Sequence, residues 1–171
     1  AYEITYGDWS SDVCSSDLDA SSILVEVAER LDAPVLLTGN AKGVVPSRHP
    51  LCADTALGFA AVQRAVEQCD AVLVVGTELS DTDLYNGGRA LQFAGPVVRI
   101  DLDPEQTIRR TTPSVALVGD AAATLTALDT ALARLDTPAG RTGGAARAAA
   151  MRAVWRTATR ADLVPWLEAI E

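Results

Sequence analysis

Basic charge is scarce in this chain. Its 171 residues carry 14 Lys and Arg against 23 Asp and Glu, a formal net charge of -9. Nucleic acid and anionic membranes both attract basic faces, so this balance argues against either as a partner. Histidine is rarer still, with His49 alone. The cysteines Cys14, Cys52 and Cys69 fall at unrelated spacings without a CxxC pair. That pattern leaves no zinc signature and fits reduced thiols in a cytoplasmic protein. No run approaches the roughly 18 apolar residues of a membrane span. The start has no charged segment followed by an apolar core of the secretory kind. A Ser/His/Asp set, an HExxH pair and a Walker loop are all missing. The expected catalytic and metal-ligating sets are therefore empty.

What remains is aliphatic. Hydrophobic residues make up 49% of the chain and aromatics only 5%, enough to bury one domain's interior. Solid apolar runs at 34–38, 71–76, 97–102 and 115–118 read as strands covered on both faces, as in parallel sheets. Between them lie segments of helical period. Leu24, Val27, Ala28 and Leu31 share one face of a helix from Asp19, and Phe59, Val62, Val66 and Cys69 share one face over 56–68. Leu125, Leu128, Leu132 and Leu135 form a third stripe. A short helix is expected around 89–92, and another over 104–110, with Asp103 as its cap and Pro104 at its first position. The alternation predicts an α/β fold, an open parallel Rossmann-like sheet with helices on both faces.

The two ends of the chain read differently. Residues 8–18, DWSSDVCSSDL, lack periodicity and resemble translated sequencing adapter. Residues 1–18 are therefore expected to be an artefactual or disordered start, with the sheet's first strand missing. The domain is expected over 19–135 and a linker, TPAGRTGG, within 136–144. Residues 145–171 read as a helical connection, with a second helix starting near Asp162 and Pro165 in its first turn.

The strand ends carry the chemistry. Thr38-Gly39, Gly76-Thr77-Glu78, Asp101-Leu102-Asp103 and Gly119-Asp120 all end strands, and in a parallel sheet they share one rim. Glycines there admit close backbone approach to a phosphate or adenine, and carboxylates accept from ribose hydroxyls. Thr38, Gly39, Gly76, Thr77, Asp101 and Asp120 are thus the candidate binding residues. For Asp101 and Asp120 the alternative is capping of the following helices, and for Asp103 capping is the expected role. His49 reads as a packing or surface residue, and Lys42 as a phosphate contact or a solvated side chain.

Four segments, GNAKGVVPSRHPL (39–51), AVLVVGTELSDTD (71–83), VVRIDLDPEQ (97–106) and VGD (118–120), resemble the central domain of thiamine-diphosphate-dependent enzymes. That group includes acetohydroxyacid synthase, benzoylformate decarboxylase, pyruvate oxidase and related 2-oxoacid decarboxylases. The resemblance runs from about residue 19 to 135. It implies a parent with two further domains, one binding the pyrimidine and one the pyrophosphate of thiamine diphosphate, with Mg, in a homodimer or homotetramer. The family's activating glutamate and its GDG motif lie in those other domains, so this fragment is not expected to catalyse alone. The central domain holds FAD in some relatives, an ADP-type nucleotide in others and nothing in the rest. Asp101 and Asp120 match positions facing the adenosine end. Glu78, Ser80 and Thr82 stand where the flavin branch has an Arg-x-Asp-x-Arg pattern, so flavin is expected to bind poorly. The TELSDTD wording is closer to guanidino-oxopentanoate decarboxylases. The expected function is a fragment of a 2-oxoacid decarboxylase or acetolactate-synthase-like enzyme. The alternative is a stand-alone nucleotide-binding or regulatory module on the same fold.

Overall fold

The computed structural model describes residues 2–6, 17–135 and 142–168. Six strands form one sheet in the order β3-β2-β1-β4-β5-β6. They are β1 (Tyr2–Tyr6), β2 (Val35–Leu37), β3 (Cys52–Asp54), β4 (Ala71–Val75), β5 (Val97–Asp101) and β6 (Val115–Val118). Every pairing is parallel. The fold is the open α/β sheet that the apolar runs predicted.

The first strand is present, contrary to the expectation that it is missing. β1 lies at the centre, with Ile4 opposite Val35 on one side and Leu73 on the other. Four of its five residues, Tyr2, Ile4, Thr5 and Tyr6, are aromatic or β-branched, the types enriched in strands. Glu3 and Thr5 break the solid apolar run by which its neighbours were recognised. Asp17 and Leu18 belong to the first helix, while residues 8–16 of the adapter-like string lie outside the described residues. β3 is the other unforeseen strand. At three residues it is too short to carry a period.

Helices cover both faces. On one, α1 (Asp17–Leu31) packs on α4 (Ala121–Ala133). Leu24, Val27, Leu37, Val75, Ile100 and Leu125 form the core there. On the other, α2 (Ala60–Glu67), α3 (Asp81–Leu84) and α5 (Gly144–Glu168) close over Leu36, Val62, Val66, Val72, Val74, Val97 and Met151. Each such aliphatic side chain contributes about 1.5–3 kcal/mol on burial.

Local chemistry explains the departures from the sequence reading. The expected helix over 56–68 is split into a 3-10 turn, Ala56–Gly58, and α2, because extended Phe59 (φ -92°, ψ 127°) stands between them. The expected helix around 89–92 does not form. α3 forms earlier instead, where Ser80 and Asp83 make a reciprocal capping box. The helix expected over 104–110 is a 3-10 turn, Gln106–Ile108. The two tail helices are one, α5, which runs through Pro165.

α5 is fastened to the body at its start. Asp32, at φ +47° just past α1, accepts from the Gly144 backbone N–H at 2.8 Å. Arg147 donates to the Asp32 carbonyl at 2.9 Å, and Arg152 donates to the carbonyl of Cys52. Residues 136–141 of the expected linker lie outside the described residues. Among the described residues no helix is long and apolar enough to cross a membrane.

Candidate functional site

In chain order the sheet grows from β1 outward to β2 and β3, then returns to β1's other side for β4, β5 and β6. The order reverses between β1 and β4. Open α/β sheets bind ligands at the carboxyl ends of the strands beside such a switch point. Gly76 and Thr77 follow β4 there. Gly76 takes φ +56°, a region that suits a residue without Cβ.

Backbone hydrogen bonds join one half of the rim. The Gly76 N–H donates to the Ile100 carbonyl at 2.8 Å, and the Gly119 N–H to the Asp101 carbonyl at 2.9 Å. Gly76, Thr77, Asp101 and Asp120 are thus brought together on adjacent chain ends. Thr38 and Gly39 end β2, on the other side of β1. There they line a separate cavity of about 440 Å³ with Phe59, Asp83, Tyr85 and Trp155.

Asp101 is the most informative of the six. It is 2% exposed; its Oδ1 accepts from the Asp103 N–H at 3.1 Å, while Oδ2 is buried with no partner. Burial pushes its carboxyl above the usual range, against the pull of the Asp103 N–H and of Arg99. A buried polar atom left unpaired costs about 1–3 kcal/mol, which a ligand hydroxyl or amino donor would relieve. Asp120 is exposed, and its Oδ1 accepts from the Ala123 N–H at 2.9 Å, so it caps α4. The hydroxyl of buried Thr77 accepts from the Leu79 N–H at 3.1 Å and shapes the turn after Gly76. Thr38 is 4% exposed with an unpartnered Oγ1, and Gly39 is exposed.

Arg99 escaped the sequence reading, although an arginine inside an apolar run was a visible signal. It is fully buried and donates to the carbonyls of Arg109, at 2.6 Å, and Thr77. Burial draws its guanidinium below its ordinary value, opposed by Asp101. Its two hydrogen bonds tie the turn after β4 to the loop after β5. The same loop changes the electrostatic reading of Glu78. Arg109 sits 3.6 Å from Glu78, and Gln106 donates to Glu78 at 3.5 Å. Arg110 donates to Asp81 at 2.8 Å. The negative charge of Glu78 is therefore not bare, and the repulsion expected toward a diphosphate is correspondingly smaller.

Other candidates are structural. The Nε2 of His49 lies 3.1 Å from Glu29, and its Nδ1 accepts from the Leu51 N–H at 3.3 Å. Cys52 and Cys69 are buried thiols that donate to the carbonyls of Val45, at 3.9 Å, and Ala65, at 3.5 Å. Among the described residues no group of three or more His, Cys, Asp or Glu could hold a metal ion, and the chain contains no GDG sequence. These residues do not fit the metal–diphosphate end of thiamine diphosphate. Asp101 instead presents a single unpaired carboxylate oxygen near Gly76 and Thr77.

Residues 13–128 match the family model described as thiamine pyrophosphate enzyme, central domain. The chain is 38% identical over 142 residues to a probable 2-ketoarginine decarboxylase of Pseudomonas aeruginosa, covering 82% of this chain and 24% of the relative. It is 32% identical over 119 residues to a probable acetolactate synthase large subunit of Methanocaldococcus jannaschii, covering 68% and 20%. It is 36% identical over 103 residues to a 2-hydroxyacyl-CoA lyase of Oryza sativa subsp. japonica, covering 60% and 17%. The chain thus spans about a quarter or less of the length of these relatives. With most of the sheet inside the matched segment, the chain belongs to the thiamine pyrophosphate enzyme family, as its central domain.

Proposed function

We propose that this chain serves a thiamine-diphosphate-dependent enzyme that cleaves or forms the carbon–carbon bond beside the carbonyl of a 2-oxoacid. The name of the Pseudomonas aeruginosa relative favours decarboxylation, and a substrate with a guanidino-bearing chain, over the acetolactate-synthase type. In that enzyme the cofactor supplies the electron sink, and the protein supplies orientation and electrostatics. The chemistry, with Mg, belongs to the pyrimidine- and pyrophosphate-binding domains of the parent. The parent is proposed to be a cytoplasmic homodimer or homotetramer. The central domain comprises residues 19–135 together with β1 (Tyr2–Tyr6) and the first turn of α1, and 145–171 lead toward the pyrophosphate-binding domain.

The domain's own task is to hold the adenosine part of a nucleotide, of ADP or FAD type. The observation that carries this reading is Asp101, buried at the end of β5, one strand out from the switch point, with one oxygen unpaired. Gly76, with no side chain to block close approach, stands at the neighbouring strand end. Asp120 contributes through its outward position while it caps α4.

Calorimetric titration of the chain with ADP tests the binding role. Saturable binding that Asp101→Asn weakens about tenfold is expected, the loss of one hydrogen bond to a charged acceptor. Equal ADP affinity in wild type and variant would refute the assignment. The parent activity is tested separately, by extending the reading frame beyond the codon for Glu171. Continuation into a GDG motif is expected, whereas a stop codon there would favour the regulatory module.

A further inference from the structure

The cavity at the end of β2 is chemically unlike the rim beside β4. Its walls include the rings of Phe59, Tyr85 and Trp155, and among its lining residues Asp83 carries the only charge. No Lys, Arg or His lines it among the described residues. A phosphate or diphosphate would therefore meet a carboxylate and no cation. A cation would meet aromatic faces, whose quadrupoles attract it.

Tyr85 is held there against two ordinary preferences. Its backbone is left-handed, φ +46°, which a bulky aromatic residue seldom adopts, and it is 79% exposed. Apolar burial does not account for its place. A Cβ at residue 58 would lie 3.0 Å from the Tyr85 ring, so Gly58 leaves the room the ring needs. Buried Gln63 donates through Nε2 to the carbonyls of Leu57, at 3.0 Å, and Leu84, at 2.6 Å. It thereby pins the backbone immediately before both Gly58 and Tyr85. Backbone strain of this kind gathers at ligand clamps.

Asp83 has capacity to spare. Its Oδ2 accepts from the Ser80 N–H at 3.1 Å and the Ser80 hydroxyl at 2.7 Å. Its Oδ1 has no protein partner among the described residues. The Thr38 hydroxyl oxygen, in the cavity wall, is buried and also unpartnered.

We infer that this cavity binds a small organic cation of the guanidinium or alkylammonium kind, stacked on the Tyr85 ring and balanced by the Asp83 carboxylate. The site is independent of the adenosine reading, since the two use different residues, and either can fail alone.

The test is calorimetric titration of the 171-residue chain with ethylguanidinium at fixed ionic strength. N-ethylurea, a neutral molecule of nearly the same shape, is the control. Saturable binding near the millimolar range is expected, with N-ethylurea at least about fivefold weaker. Tyr85→Ala weakens ethylguanidinium binding about two- to fivefold, Tyr85→Phe restores it, and Asp83→Asn weakens it about fivefold or more. Asp83 also closes a capping box, so if that variant unfolds, the Tyr85 pair and the N-ethylurea comparison still decide. No saturation by about 50 mM, equal binding of N-ethylurea, or unchanged affinity in Tyr85→Ala each overturns the inference.

Discussion

Replacing Arg99 by Met removes the buried cation while keeping an unbranched side chain that fills much of the same space. Two carbonyls, those of Thr77 and Arg109, then lose their donor inside the protein. Hydrogen bonds to a charged group contribute about 1.5–3 kcal/mol each, so the gross loss is about 3–6 kcal/mol. Against this stands relief from burying the guanidinium, whose lowered pKa shows that burial already works against its charge. Because the carbonyls remain and only the ion is removed, the loss exceeds the relief, for a net destabilisation of about 2–4 kcal/mol. At about 2–4 °C per kcal/mol for a domain of this size, the melting point falls by roughly 4–16 °C. Urea unfolding at pH 7 measures the free energy. Hydrogen exchange should show the amide of Leu79, now on a loosened turn, losing protection before those of β4. Arg99→Lys should be intermediate, since one ammonium cannot span both carbonyls as a planar fork does. A Met variant as stable as the parent protein would refute the idea that this arginine holds the two rim loops together.

Asp120→Ala removes the cap on α4 and should lower stability by about 1 kcal/mol in thermal unfolding, with Asp120→Asn close to wild type. Gly144→Ala puts a Cβ 2.3 Å from the Asp32 carbonyl oxygen and should cost about 1–3 kcal/mol by forcing α5 off its seat. Gly39→Ala, with nothing within 4 Å, should cost far less in the same assay. Asp101 has a folded-state pKa above its unfolded value, so the native protein binds the proton more tightly. Its contribution therefore turns against folding as pH rises from about 4 through the raised value. Stability of Asp101→Asn relative to wild type should climb over that window in denaturant titrations; a flat or falling difference would contradict the burial argument.

Four of the six strands were legible as apolar runs, a pattern that follows from burial on both faces in β2, β4 and β5. β6, at the sheet's edge, is largely exposed, contrary to the expectation that it is covered on both faces. Central β1 was not legible, because Glu3 and Thr5 interrupt its apolar residues, so it lacks the solid run that marked the others. The site was legible in part for the same reason that the fold was. Strand ends can be read off a sequence, so Gly76, Thr77 and Asp101 converge as expected. What a strand end does with its side chain depends on neighbours. Asp120 turns to the Ala123 N–H, and only the folded chain shows that Asp101 keeps an oxygen unpaired. Glu78 looked like an isolated negative charge because Arg109 is 31 positions away in the chain and beside it only in space. The cavity under Tyr85 draws on α3, α5 and two loops, and no local window contains it.

The central place of β1 bears on the order in which the protein assembles during synthesis. Among the six strands it leaves the ribosome earliest, yet its pairing with β4 waits for residues 71–75, so one of its edges has no partner until then. Parallel pairings this distant in sequence form slowly, and an unpaired edge recruits strands from other chains. The nascent domain is thus most prone to aggregate after β3 is made and before β4 emerges. Glu3, which a solid apolar strand would lack, sits on the very segment left waiting, where a charge discourages such recruitment.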